Sequence, residues 1–292
     1  PPQEEEPHRQ EAAVGVGAGP AGELGRHYDA FLRSRPPVSE EAAIAAVIDA
    51  ARATGGRAHI VHVADGDALD LVRAAKAEGV RLTIETCPHY LTLSAEEVPD
   101  GASAFKCCPP IRDRVNRDLL WEGVVDGTID AIVSDHSPAT LALKTAGGGD
   151  FGLAWGGIAG VQTGFASVWT AAARRGIPLE RLLPLFTTGP ARIAGMPGLG
   201  VIAPGARANL TVFAPERSWT VDAQRLLYRH KLSPWDGREL RGGVVMTLVG
   251  GTVVYRAGDD DARSRPGVEL LAGAAHGAGV FAGDDVREGA TS

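Results

Sequence analysis

Between Arg57 and Asp135 the chain alternates short β-rich runs with helix-length segments, a pattern that implies parallel strands joined by right-handed crossovers. The three runs are RAHIVHV (57–63), VRLTIET (80–86) and IDAIVSD (129–135). DGDALDLVRAAKAEG (65–79) separates the first two and reads as a helix, acidic at its start and closed by Gly79. Helix-like RDRVNRDLLWEGVVDG (112–127) follows an extended KCCPPI and leads into the third run. Ahead of them, Ser39, Glu41 and the apolar Ile44, Val47 and Ile48 predict a capped amphipathic helix ending near Thr54.

Two further helical stretches cover about 157–175 and 179–195. Beyond Gly198 the texture changes: ARANLTVFAP and GGVVMTLVGGTVVYRAG are β-rich and carry a Gly-Gly turn, which predicts an antiparallel ribbon. This divides the chain into a poorly ordered start (1–27), an α/β part (28–197), a small β-rich domain (198–256) and a Gly/Ala/Asp-rich tail (257–292) expected to be mobile. A net charge of −7 without a basic stripe argues against nucleic acid or an anionic membrane as partner. No apolar run approaches the roughly 20 residues that span a bilayer. The acidic opening PPQEEEPHRQ is the opposite of a signal peptide. Three cysteines, Cys87, Cys107 and Cys108, make no disulfide framework and fit a reducing, cytoplasmic setting.

The polar residues fall where chemistry would be expected. His62 lies near the end of the first run, and Asp135 and His136 at the end of the third. In a parallel α/β barrel the strand C-termini and the loops after them form the active-site face. Imidazole and carboxylate are donors a hydrolytic zinc ion uses, and a nearby carboxylate can shuttle a proton. A lone strand histidine is also a common core residue, and an aspartate before a turn a common loop cap. His59 and His62, three apart, would point to opposite faces of one strand.

Five ordered motifs sharpen this reading: ETCPHYLTL (85–93), FKCCPPIRD (105–113), IDAIVSDHSP (129–138), DFGLAWGGIAG (150–160) and YRHKLSPWDGREL (228–240). Together they resemble the allantoinases, cyclic amidohydrolases related to dihydroorotases and hydantoinases. The likeness runs from about Tyr28 to Arg256. It implies a (β/α)8 barrel with a small composite β domain, a binuclear centre, usually zinc, and hydrolytic opening of allantoin to allantoate. Carried over by motif, His62 is a metal ligand, and Asp135 is both ligand and proton shuttle. Cys108 and His136 then contact a small cyclic ureide.

The resemblance also implies residues that are absent. The family's His-x-His pair has no counterpart, and Lys76, Lys106, Lys144 and Lys231 all lie in the wrong motifs to be its carboxylated lysine. Where a His-Ala-Glu triplet belongs, one alignment places Gln3-Glu4-Glu5, with His8 nearby but offset. The stretch after SDHSP, ATLALK (139–144), lacks the family's proline, cysteine and acid. The expectation is a C-terminal fragment holding the last three barrel strands, with two open strand edges. With only His62 and Asp135 as ligands, it should hold less than one tight zinc and be catalytically incomplete. Hydantoinase or dihydropyrimidinase activity is the alternative within the class. A non-catalytic paralogue, binding a ureide or a full-length partner, is the alternative outside it. Self-association is left open.

Overall fold

The computed structural model describes residues 24–196 and 198–258. The expected ordering of the first residues and of the tail, and the Gln3 and His8 comparisons, therefore lie wholly or mainly outside the described residues. The α/β part begins with α1 (Tyr28–Arg33) and α2 (Pro37–Thr54), followed by β1 (Ala58–Ile60), α3 (Leu69–Ala77), β2 (Leu82–Thr86) and α4 (Pro88–Thr92). After two 3-10 turns come α5 (Arg114–Asp126), β3 (Ala131–Ile132), α6 (Leu141–Lys144), α7 (Ala146–Gly149), α8 (Gly164–Arg174), α9 (Leu179–Phe186) and α10 (Thr188–Ile193). A second sheet closes the described chain, with β4 (Leu210–Thr220), β5 (Glu239–Val249) and β6 (Thr252–Arg256).

The first sheet has the order β1-β2-β3 and is parallel throughout, as the alternation predicts. Leu82, Ile84 and Thr86 of β2 are buried while Thr83 and Glu85 between them are half-buried. That alternation gives the sheet one face against helices and one more open face. On the open face His59 bridges Thr83 (Nδ1 to Oγ1, 2.9 Å) and Glu85 (Nε2 to Oε2, 3.0 Å). Among the described residues, β1 and β3 each pair along one side only. The free side of β1 opens on a cavity of about 430 Å³, lined partly by Ile44, Val47, Ile60 and Val61.

The second sheet is antiparallel, in the order β4-β5-β6. Its tight turn is Gly250-Gly251, with φ of 57° and 85°, the positive pair that a two-residue hairpin requires and that glycine adopts without strain. The sheet is tied to α8 by polar contacts. Trp169 Nε1 donates to Pro215 O (2.9 Å), and the Arg241 amide donates to Thr170 Oγ1 (2.8 Å).

Several expected boundaries move. Prolines 36 and 37 start α2 earlier than Ser39, because a proline at the first helical position loses no needed N–H, so Ser39 lies inside the helix rather than capping it. The helical stretch over 179–195 breaks at Thr187 (φ −127°, ψ −86°), three residues after Pro184. The first and third strands are short, so His62 and Asp135 lie beyond β1 and β3. The strand argument opposing His59 to His62 consequently does not govern His62.

Glu40 holds the loop after β1 in place. One of its carboxylate oxygens accepts from the amides of Ala64 (2.7 Å) and Asp65 (3.0 Å), and the other meets Arg112 Nη2 at 3.1 Å. Both side chains are nearly buried, at 12% and 6% exposure. Removing one partner of such a pair strands the other charge, so Glu40→Ala should lower unfolding free energy by about 3–5 kcal/mol. The double replacement Glu40→Leu/Arg112→Met should cost clearly less than the single one. Denaturant unfolding of the three proteins checks both statements.

Candidate metal centre

Parallel pairing brings the C-terminal ends of β1, β2 and β3 to one edge, and three short loops leave from it. Two of the positions chosen from sequence share an unusual backbone. His62 (φ 42°) and Asp135 (φ 41°) are the non-glycine residues with positive φ among those described. Such conformations cost on the order of 1–3 kcal/mol each and collect at functional sites.

The loop after β2 supplies what the sequence reading did not select. Cys87 caps α4, and Pro88 at the first helical position turns the chain so that His89 follows one residue later. A ligand atom of Cys87, one of His89 and one of Asp135 lie within 4.8 Å of one another. His62 is outside this set, but its charge opposes that of His89. His89 is fully buried, and neither of its ring nitrogens has a hydrogen-bond partner. A buried imidazole with both nitrogens unsatisfied calls for an ion or water to complete it. The missed signal was position: Cys-Pro-His stands at the end of the middle strand, between the two strands whose ends were chosen.

The electrostatics agree. Burial foremost, then the charges of His62 and Lys144, push the His89 pKa down to about 3, so the ring is neutral and able to donate a lone pair. Burial, followed by the neighbouring Asp135, raises the Cys87 thiol well above its ordinary value. Thiol, imidazole and carboxylate are donor types that zinc takes, so this trio fits one such ion. Binding would release the Cys87 proton and therefore strengthen as pH rises. The trio offers three donors, and the chain has no His-x-His pair, so the described residues do not furnish a full two-ion set.

Of the other two sequence-derived positions, Cys108 lies between His89 and Asp135 in the chain and His136 directly follows Asp135. Half-buried His136 makes a bridge with Ile158, accepts from the Val161 amide at Nδ1 (3.4 Å) and rests on Tyr228 with ring centroids 5.0 Å apart. Burial lowers its pKa. Cys108 is exposed, and its Sγ lies 3.3 Å from where a Cβ on Gly156 would sit. The geometry thus gathers Asp135 with Cys87 and His89, while Cys108 and His136 stand apart from that cluster.

A match to the model of the "Amidohydrolase family" covers residues 38–254. The chain belongs to that family. It is 46% identical over 255 residues to the allantoinase of Streptomyces avermitilis, covering 87% of this chain and 55% of that protein. Against the allantoinase of Arabidopsis thaliana it is 40% identical over 243 residues, covering 80% and 48%. Among solved structures, the L-hydantoinase (dihydropyrimidinase) of Arthrobacter aurescens superposes with a TM-score of 0.75 at 30% identity, over 80% of this chain and 52% of that one. The chain spans about half the length of the curated relatives it matches.

Four of the motifs of this amidohydrolase meet through buried side chains. Trp235 is 1% exposed and donates from Nε1 to Thr92 Oγ1 on α4 (3.1 Å), beside Gly160. Lys144 is 3% exposed, and its ammonium donates to the carbonyls of Lys106 (2.7 Å), Trp155 (3.0 Å) and Gly157. That bond set knots the KCCPP segment to the AWGG segment. Burial lowers the Lys144 pKa to about 8. The lysine after the altered ATLAL stretch is thus a structural tie.

Two outcomes follow. Methionine at position 144 cannot bind the three carbonyls, so Lys144→Met should free the KCCPP segment. A thiol reagent that labels exposed Cys108 in the parent protein should then also reach buried Cys107, which mass spectrometry of the labelled protein would show. In the metal-free protein, His89 stays neutral to about pH 3 whereas its unfolded counterpart takes a proton near 6.5. Within that window the unfolded state binds more protons, so His89 makes stability fall as pH drops from about 6.5 to 3. His89→Gln should remove about one proton from the slope of unfolding free energy against pH.

Proposed function

We propose that this chain carries part of the active centre of an enzyme that opens a cyclic amide ring by metal-dependent hydrolysis, with allantoin as substrate and allantoate as product. The observation that carries the reading is the convergence of Asp135, Cys87 and His89 at the carboxyl edge of a parallel sheet. The greater identity to relatives named allantoinase, 46% against 30% for the L-hydantoinase, favours allantoin over a hydantoin or dihydropyrimidine. On this reading, β1, β2 and β3 are neighbouring strands of an amidohydrolase barrel, and β4–β6 belong to its small composite β domain.

Zinc is the ion proposed, held by Asp135, His89 and Cys87, with His62 at the margin. When bound, zinc supplies Lewis acidity and lowers the pKa of water toward about 7. The chain's own residues do the rest. Asp135 takes the proton released as water attacks the ring carbonyl and returns it to the departing ring nitrogen. His136 and the Cys108 backbone orient the ureide. No helix among the described residues is long and apolar enough to cross a membrane.

The test is a zinc-loaded assay against allantoin, hydantoin and dihydrouracil, using the chain alone and joined to the remaining length of the S. avermitilis relative. The joined protein should turn over allantoin fastest. In it, Asp135→Asn should cut turnover by about two to four orders of magnitude, the span typical of losing a general acid–base, with zinc content largely kept. Near-parental turnover by Asp135→Asn would remove the catalytic assignment. Metal binding without turnover of any of the three rings would favour the non-catalytic reading instead.

A further inference from the structure

Between α8 and the second sheet lies a cavity of about 750 Å³ that the metal centre does not use, with His136 in its wall. Its lining includes Arg217, Arg225 and Arg229, three exposed guanidiniums without an ion pair or hydrogen bond among the described residues. The lining holds one carboxylate, Asp222, and that already accepts from the Gln224 amide at 2.9 Å. In a chain with a net charge of −7, three cations against one acid in one cavity is a local reversal.

The wall beside His136 is fixed rather than loose. The Gln162 amide donates to Tyr228 Oη (2.9 Å), and the Leu227 amide returns a bond to Gln162 Oε1 (2.8 Å). Tyr228 is buried and carries His136 on its ring. Arg217 runs over Gly243, its Cδ 3.2 Å from where a Cβ would project, so the absence of a side chain there leaves the guanidinium room at the cavity. The chemistry offered is a partly aromatic wall facing positive charge, which suits a carboxylate-bearing molecule better than a neutral ring.

We infer that this cavity binds a small ureido acid, the ring-opened product of cyclic amide hydrolysis. The inference rests on the proposed reaction for its choice of ligand. Water adds its oxygen to the ring carbonyl carbon, the C–N bond breaks, one proton passes to the nitrogen, and the new acid ionises with release of a second. The neutral ring thus becomes an anion, and His136, next to Asp135 in the chain, borders the place where guanidiniums receive that charge.

The experiment uses the full chain, dialysed against chelator so that turnover plays no part. N-carbamoylglycine and its closed form, hydantoin, are titrated separately by calorimetry. The open acid should bind and the ring should bind about tenfold more weakly or not at all, the difference expected of one or two hydrogen bonds to a charged group. The Arg217→Gln/Arg225→Gln/Arg229→Gln protein, checked for folding by circular dichroism, should lose about tenfold in affinity for the acid. Single Arg→Gln variants guard against a triple variant that misfolds and should each lose part of that. Equal affinity for acid and ring, or unchanged binding in the arginine variants, would overturn the inference. Failure of allantoin turnover with acid binding intact would count against the proposed reaction and leave the cavity's assignment standing.

Discussion

Parallel pairing is the constraint on which the remainder depends. Strands β1, β2 and β3 run the same way, so whatever follows each of them must emerge at one edge. Asp135 is far in sequence from Cys87 and His89, and that shared edge is why ligand atoms of the three lie within 4.8 Å of one another. An antiparallel arrangement of the same segments would send the chain after β2 to the opposite edge, and no cluster would form.

Bringing three loops together is not enough to hold them. Two of them are tied from outside the sheet by a buried polar contact, and a third such contact joins segments beyond them. Glu40 grips the loop after β1, Trp235 bonds to Thr92 at the end of the segment carrying His89, and Lys144 knots the segments at 106 and 155–157. These ties use charged or aromatic side chains in nearly dry surroundings, where an unmet partner is costly.

How far the sequence could be read follows from the same physics. Alternating β-rich and helical segments made the parallel sheet legible, and Gly250-Gly251 made the hairpin legible, because both are local patterns. Asp135 and His62 stood out as polar residues near strand ends. His89 did not, since a histidine inside a short helical motif looks like an ordinary core residue until its two nitrogens are found without partners. The early start of α2 and the break at Thr187 turned on prolines, whose effect depends on where a helix begins. The sequence reading named His62 and Asp135 as ligands; the candidate donors Cys87 and His89 become visible only when the strand ends are assembled.

The central claim is that Cys87, His89 and Asp135 hold one metal ion. Cobalt(II) titration of the chelator-treated chain tests it most directly, because a thiolate bound to cobalt produces a charge-transfer absorption that oxygen and nitrogen ligands do not. The account predicts that band at about one cobalt per chain, its loss in Cys87→Ser, and weakened binding in His89→Gln. Cobalt binding without a thiolate band, indifferent to both substitutions, would contradict it.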